Sequence, residues 1–205
     1  MTFLEFKDKM FDLACFSIYQ IYAWQPDFDR NNLTRWSKKG YIIRLRQGYF
    51  AFSEYKNKPD YSLYFANRIY RPSYISLHTA LAFYGMIPEA VVQITSVTSL
   101  KTTSFHNDFG EYAYHNVKEN LIFGYELKPM KGTNAIPFAT PEKALLDLLY
   151  LYPFYNNKQE LKELRLDGSF LHDNLNKDLL ADYCVRFQSK ALDHRARLLF
   201  KTYHL

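Results

Sequence analysis

The residues with the clearest chemical purpose lie between Asp29 and Phe52, in the segment DRNNLTRWSKKGYIIRLRQGYFAF. Asparagine and arginine side chains can form hydrogen bonds with the edges of DNA bases, and lysine and arginine can neutralise phosphates. From Arg30 to Lys58 eight basic residues stand against one acidic residue, a net charge of +7. The whole chain of 205 residues carries a net charge of only +5. This concentration of basic charge indicates a nucleic-acid surface.

A short helix is predicted to position the first half of this segment. Asp29 or Asn31 can cap its start, and Gly40 can end it. Leu33 and Trp36 are close to one turn apart and share a face, so we expect them to point into the protein. The polar and basic residues of the helix are then left for the other faces.

A tight hairpin is predicted for the second half of the segment. Tyr41–Leu45 and Tyr49–Phe52 are rich in β-branched and aromatic residues, which favour strands. Gln47 and Gly48 form the turn between them. The hairpin follows the helix directly and carries basic residues towards its tip.

Two further helices are expected upstream, over Phe3–Phe16 and over Ile18–Trp24, the second with Ser17 as its cap. Three helices followed by a basic hairpin are typical of a winged helix-turn-helix, whose third helix enters the major groove of DNA. Since the chain contains one such helix, we expect a specific operator to require a dimer, or two monomers on repeated half-sites.

Nine residues are the predicted DNA contacts. The side chains expected to face base edges in the major groove are Asn31, Asn32, Thr34, Arg35 and Lys38. The side chains expected to hold phosphates or reach the minor groove are Lys39, Arg44, Arg46 and Gln47.

A second domain is predicted after the polar stretch Glu54–Asp60, which divides the chain into residues 1–55 and 60–205. We expect this domain to hold a small, mostly antiparallel sheet of four or five strands and several helices, which makes the fold class α+β. The strands are expected at Val91–Phe105, Glu111–Val117, Leu121–Leu127 and Ala135–Ala139, with a loop at Lys128–Asn134 before the last. The helices are expected at Tyr61–Tyr70, Ser76–Tyr84, Thr140–Leu151, Asn156–Leu166, Asn176–Gln188 and Ser189–Tyr203.

Some titratable side chains in this domain have more than one interpretation. Asp147 sits inside an apolar helical pattern and is either a site residue or, as we favour, a core carboxylate paired with a basic side chain or a backbone donor. His78 is expected to be a surface or capping residue. His106 and His115 flank one predicted turn and could share a metal ion, although histidines across a hairpin are usually incidental.

The composition favours a cytoplasmic protein without a cofactor. Cys15 and Cys184 show neither metal-ligand spacing nor a disulfide framework, as expected for free thiols in a reducing compartment. The first ten residues carry charge inside their apolar pattern, unlike a signal peptide. No run approaches the ~20 apolar residues that span a bilayer, so no membrane partner is expected.

An ordered set of segments resembles a known family. The hairpin end LRQGY is followed by PSYISLHTALAFYGMIPE, TSVTS, FGEYAYH, FGY and finally ATPEKALLDLLYL. Together these segments are similar to the AbiE-type abortive-infection antitoxins, the transcriptional regulators of type IV toxin–antitoxin systems. The resemblance covers roughly Ile18 to Leu151, and the helical tail after Pro153 matches it only in kind.

The resemblance implies functions that composition does not show. The winged helix would bind inverted repeats in its own promoter and repress its operon. The C-terminal domain would oppose a nucleotidyltransferase-like toxin encoded beside it, without a stable complex. Family members also include stand-alone regulators without a toxin, and that alternative stays open. The short basic run of the hairpin departs from the family, so operator binding would depend on dimers or on a basic surface of the last helix.

Two other classes of protein compete with this interpretation. An enzyme is disfavoured because its candidate carboxylates occur singly and no GxGxxG, GxxxxGK[ST], HExxH or GxSxG motif is present. Those carboxylates are Glu89, Asp108, Glu111, Glu142 and Asp147. A protein-interaction module would be favoured if the basic residues of the third helix were sequestered in salt bridges.

Overall fold

The computed structural model describes residues 1–129 and 135–205. Within residues 1–52, three helices surround a three-stranded antiparallel sheet. The helices are α1 (Phe3–Met10), α2 (Ile18–Trp24) and α3 (Asn31–Lys38). The strands are β1 (Cys15–Ser17), β2 (Ile42–Arg46) and β3 (Tyr49–Phe52), in the spatial order β1-β3-β2. The helix and hairpin predicted between Asp29 and Phe52 are both present.

The prediction of one helix over Phe3–Phe16 was wrong in its second half. The helix α1 ends at Met10, and a 3-10 turn over Phe11–Leu13 leads into β1. β1 pairs with β3, with Cys15 opposite Ala51. This pairing with a distant strand overrides the helical spacing of the apolar residues.

Aromatic side chains fill the core of this N-terminal part. Phe6 is fully buried, and its ring lies 4.7 Å from Trp36 and 5.3 Å from Phe16 between centroids. Phe28 and Phe52 complete the cluster at 5.8 and 5.9 Å from the same ring. Much of the chain's aromatic content therefore serves packing rather than ligand stacking.

A 3-10 turn at Ser53–Asn57 and the helix α4 (Tyr61–Ile69) lead into the second part of the chain. Within the described residues of that part, six strands form one mixed sheet in the order β6-β7-β5-β4-β9-β8. The strands are β4 (Ser73–Ile75), β5 (Gln93–Thr98), β6 (Thr103–Asn107), β7 (Gly110–Asn116), β8 (Tyr125–Pro129) and β9 (Ala135–Ala139). The pairs β4–β5, β6–β7 and β8–β9 are antiparallel, whereas β4–β9 and β5–β7 are parallel.

The fold class α+β is confirmed, but the predicted sheet was too small and too uniformly antiparallel. The predicted strand Val91–Phe105 divides into β5 and β6, and β8 begins only at Tyr125. The parallel pairings join strands that are distant in sequence, and hydrophobic alternation carries no signal for them. The predicted loop Lys128–Asn134 falls largely on residues 130–134, which lie outside the described residues.

Six further α-helices lie in the described C-terminal residues. They are α5 (Leu77–Phe83), α6 (Pro141–Leu151), α7 (Lys158–Glu163), α8 (Gly168–Asp173), α9 (Lys177–Phe187) and α10 (Lys190–Tyr203). α6 starts as predicted, since the Thr140 hydroxyl accepts a hydrogen bond from the Lys143 backbone nitrogen at 3.3 Å. Residues 142–149 are all buried, so α6 is the central helix of this part. α8 was not predicted.

A buried ion pair lies on α6. Lys143 and Asp147 are one turn apart, both fully buried, and their ammonium and carboxylate groups are in contact. The Tyr74 hydroxyl donates to Asp147 Oδ2 at 2.9 Å, and the Ser76 hydroxyl donates to the same oxygen at 2.8 Å. The prediction that Asp147 pairs with a basic side chain is confirmed. Ser76 caps no helix with its side chain, because its hydroxyl serves this pair.

Removing one charge of this pair should cost more stability than any surface substitution. Burial already lowers the pKa of Lys143, against the opposing attraction of Asp147. We expect Asp147→Asn to lower the free energy of unfolding by about 3–5 kcal/mol in urea denaturation, because it leaves a buried ammonium without a counter-charge. Glu89→Gln, which breaks the exposed pair with Arg165, is the control and should cost less than about 1 kcal/mol. Equal losses in both variants would contradict this role.

Candidate nucleic-acid interface

The helix α3 is oriented by its two apolar residues. Leu33 and Trp36 are buried, and Trp36 joins the aromatic core. Asp29 Oδ1 accepts a hydrogen bond from the Asn31 backbone nitrogen at 2.9 Å, so Asp29, one of the two predicted caps, serves the first turn. Gly40 follows the helix with a φ of +71°, a conformation that favours glycine. The remaining side chains of the helix are directed to other faces.

The structure places seven of the nine predicted contact residues at the surface. The exposed residues are Asn31, Thr34, Arg35, Lys38, Lys39, Arg44 and Gln47. Asn32 and Arg46 are half-buried. Seven of the nine predicted residues are therefore accessible to an external ligand, and Asn32 and Arg46 are less accessible.

A cleft of about 270 Å³ separates α3 from the β2–β3 hairpin. Arg30, Thr34 and Lys38 line it from the helical side, and Arg44 lines it from the hairpin. None of the lining residues is acidic. Arg30 was not among the predicted contacts, although its place in the basic stretch was a signal for it. Three cations around a cleft without a carboxylate suit a polyanionic partner.

Arg35 is engaged in contacts along its own helix. Its guanidinium donates to Asn32 Oδ1 at 2.5 Å and lies 3.4 Å from Asp29 Oδ2. The side chains of Arg35 and Asp29 are both more than half exposed. Since exposed ion pairs contribute little free energy, a phosphate or a base edge can replace Asp29 at small cost.

The structure does not leave Arg46 free to hold a phosphate, in contrast to the prediction. Arg46 Nη1 donates a hydrogen bond to the Ile69 carbonyl oxygen at 2.6 Å. Its guanidinium carbon lies 5.0–5.4 Å from the ring centroids of Tyr49, Tyr70 and Phe105. The sequence pattern of the hairpin marks Arg46 as basic but cannot show that the second part of the chain surrounds it. Arg46 therefore fastens the hairpin to that part of the chain through one hydrogen bond and its ring contacts.

A second hydrogen bond reinforces this fastening. Asn107, at the end of β6, donates from its side-chain amide to the Leu45 carbonyl oxygen at 3.0 Å, and Asn107 is buried. Neighbouring residues of β2 therefore both form hydrogen bonds with the second part of the chain. The predicted boundary between residues 55 and 60 is thus crossed by specific contacts.

Among the described residues, His106 and His115 are not placed to share a metal ion. His106 is opposite Glu111 in the β6–β7 register, which puts His115 roughly 13 Å further along β7. Within the described parts of the chain, no three His, Cys, Asp or Glu side chains are grouped to hold a metal ion. His78 and His115 instead pack against the same ring, with centroids 5.7 and 5.8 Å from that of Tyr152.

No protein-family model matches the chain, and a comparison with curated proteins gives no match either. Over residues 1–129 and 135–205, no helix combines the length and the apolar character needed to cross a membrane. The assignment of this surface therefore rests on its own side chains and contacts.

Arg46→Gln tests the fastening against a neighbour on the same strand. The variant loses a charge-assisted hydrogen bond and three ring contacts, so the free energy of unfolding should fall by about 1–3 kcal/mol in urea denaturation. Arg44→Gln removes the same charge from an exposed position and should change it by less than about 0.5 kcal/mol. The fastening role is contradicted if the two variants are equally stable.

The half-buried histidines predict a loss of stability in mild acid. Burial lowers the pKa of His78 and of His115 below 6.5, and the charge of His78 lowers that of His115 further. Between the lowered values and 6.5 the unfolded chain binds more protons, so the free energy of unfolding falls as the pH falls through that window. Urea denaturation at about pH 7 and about pH 5 should show a smaller fall for His78→Gln/His115→Gln than for the wild type.

The exposed His106 supplies the control for this measurement. His106→Gln leaves both half-buried histidines in place, so it should keep the wild-type dependence of stability on pH. A double variant that loses as much stability between the two pH values as the wild type would rule out the histidines as the cause.

Proposed function

We propose that the chain is a DNA-binding transcriptional regulator whose helix α3 enters the major groove of duplex DNA. In this proposal α1, α2, α3 and the β2–β3 hairpin act as a winged helix-turn-helix. One observation carries it: the cleft between α3 and the hairpin exposes Arg30, Lys38 and Arg44 with no acidic residue in its lining. A surface of this kind binds the phosphate backbone and brings the polar face of α3 against the bases.

The residues of this surface divide into two roles. Asn31, Thr34 and Arg35 are exposed on α3 and are of the types that form hydrogen bonds with base edges. Lys38 and Arg44 line the cleft and are placed to neutralise phosphates. Exposed Lys39 and Gln47 extend the phosphate-binding group, and Arg46 is left out of it.

The rival interpretation as a protein-interaction module would be favoured by salt bridges on α3. Among the described residues, the ion pairs of the α3 segment amount to Arg35 with Asp29. The charges of Arg30, Lys38 and Lys39 are thus available to an external anion. This availability supports DNA over a protein surface.

The resemblance to the AbiE-type antitoxins supports a more specific proposal. The chain would repress its own operon from inverted repeats, as a dimer or as two monomers on repeated half-sites. It would also oppose a nucleotidyltransferase-like toxin without a stable complex, and it would act in the cytoplasm. The proposal assigns the chain no catalytic step and no cofactor.

Titration of the purified chain with DNA from upstream of its own gene tests the proposal. Scrambled DNA is the competitor, and the measurement is made at about 50 and about 200 mM salt. We expect sequence-dependent binding that weakens steeply with salt, because each neutralised phosphate releases counterions. Absence of binding at the lower salt concentration would remove the proposal.

Two variants separate the roles of individual residues. Lys38→Gln/Arg44→Gln should weaken binding to every sequence and reduce the slope of log K against log salt by about two. Arg35→Ala should instead change which sequence is preferred, by about 1–3 kcal/mol at the affected base pair. Lys158→Gln/Lys162→Gln removes two exposed charges from α7 and is the matched control, with no effect expected on either quantity.

A further inference from the structure

A second basic cavity lies where the N-terminal sheet meets α4. It has a volume of about 210 Å³, and its lining residues are Cys15, Ser17, Gln20, Tyr49, Arg68 and Arg71. These residues come from β1, α2, β3, α4 and the segment after α4, so both parts of the chain build it. The volume is below the ~300–1,000 Å³ of sites for drug-sized ligands, which points to a small ligand or to one group of a larger one.

The two arginines are held in place by their own contacts. The guanidinium carbon of Arg68 lies 5.1 Å from the ring centroid of Tyr64. Arg71 Nε donates to the Asn67 carbonyl oxygen at 3.0 Å, which leaves its two terminal nitrogens for other acceptors. Both guanidinium groups are thus oriented before any ligand arrives.

No counter-charge faces these arginines among the described residues. Neither Arg68 nor Arg71 forms an ion pair with a carboxylate there. Burial raises the pKa of Cys15 to about 12, so the thiol stays neutral. Arg71 is exposed at the rim of the cavity, and its partial desolvation, followed by the neighbouring charge of Arg68, lowers its pKa.

Two neutral donors complete the lining. Ser17 Oγ accepts from the Gln20 backbone nitrogen at 3.3 Å, and Gln20 Oε1 accepts from the Ser17 backbone nitrogen at 2.8 Å. This reciprocal cap uses oxygen acceptors and leaves the Ser17 hydroxyl hydrogen and the Gln20 amide hydrogens as donors. Two guanidinium forks with hydroxyl and amide donors match the oxygens of a phosphate group.

We propose that this cavity, which we name the junction pocket, binds a phosphate group through Arg68 and Arg71. The phosphate comes either from a free phosphorylated small molecule or from the backbone of bound DNA, and the second source rests on the proposed function. Gly48 lines the cleft beside α3 and the next residue, Tyr49, lines the junction pocket, so the two basic sites adjoin at the hairpin.

Inorganic phosphate is the probe for the junction pocket, with binding to the full chain measured by calorimetry at fixed ionic strength. Arg68→Gln/Arg71→Gln should bind phosphate about tenfold more weakly or worse, because charge-assisted hydrogen bonds are lost. Arg165→Gln/Arg197→Gln removes two exposed arginines elsewhere and should stay within about twofold of the wild type. Phosphate binding that is equal in the wild type and the Arg68/Arg71 variant would overturn the proposal.

Thermal unfolding shows whether each variant is folded and whether phosphate stabilises it. For each protein the rise in Tm is the difference between phosphate and chloride at equal ionic strength. This rise should be larger for the wild type and the Arg165/Arg197 control than for Arg68→Gln/Arg71→Gln. The comparison among variants removes the general stabilisation that phosphate gives every protein. An equal rise in all three proteins also overturns the proposal.

The source of the phosphate is decided by adding duplex DNA. If the DNA backbone supplies it, saturating duplex displaces inorganic phosphate, and Arg68→Gln/Arg71→Gln lowers the salt slope of DNA binding by about two. If a free ligand supplies it, phosphate and DNA bind together and the slope is unchanged. Both results support the junction pocket, and phosphate binding without DNA binding would remove only the proposed function.

Discussion

The buried ion pair between Lys143 and Asp147 joins the central helix of the second part to the neighbouring strand and loop. Burying two charges is costly unless they contact each other and their remaining hydrogen-bonding groups are satisfied. Here the two charges are in contact, and the hydroxyl groups of Tyr74 and Ser76 donate to the carboxylate. The pair therefore fixes the central helix against β4 and the start of α5. The segments PSYISLHTALAFYGMIPE and ATPEKALLDLLYL, on which the family resemblance chiefly rests, meet at this point. The segments that carry the resemblance therefore contain the buried ion pair and its hydroxyl donors, whose residue types are constrained by burial.

The N-terminal part is joined to this framework through the hairpin. Arg46 bonds to the end of α4, and the backbone of Leu45 accepts a hydrogen bond from Asn107 at the end of β6. The same hairpin leaves Arg44 and Gln47 exposed beside α3. The hairpin therefore both contacts the second part of the chain and exposes the Arg44 guanidinium to an external polyanion. The junction pocket lies beside this hairpin, where the two parts of the chain meet.

Sequence reasoning succeeded where a local signal determines the structure. Ser17 and Thr140 are residue types that favour helix N-caps, and both cap their helices. The helical spacing of Leu33 and Trp36 correctly predicts the buried face of α3. It failed where distant segments decide the outcome. β1 exists because β3 pairs with it, and the parallel pairings of the mixed sheet have no sequence period of their own. Arg46 was misassigned for the same reason: its basic type is visible in the sequence, whereas the rings around it come from residues up to 59 positions away.

Hydrogen–deuterium exchange of the full chain, with and without saturating duplex DNA from upstream of its own gene, would locate the surface that contacts DNA. We expect DNA to slow exchange over residues 30–48, which carry α3, β2 and the turn of the hairpin, and to leave the exposed surface of α7 unaffected. Protection confined to the C-terminal helices, or none at DNA concentrations that saturate binding, would contradict the assignment of α3 as the element that contacts DNA.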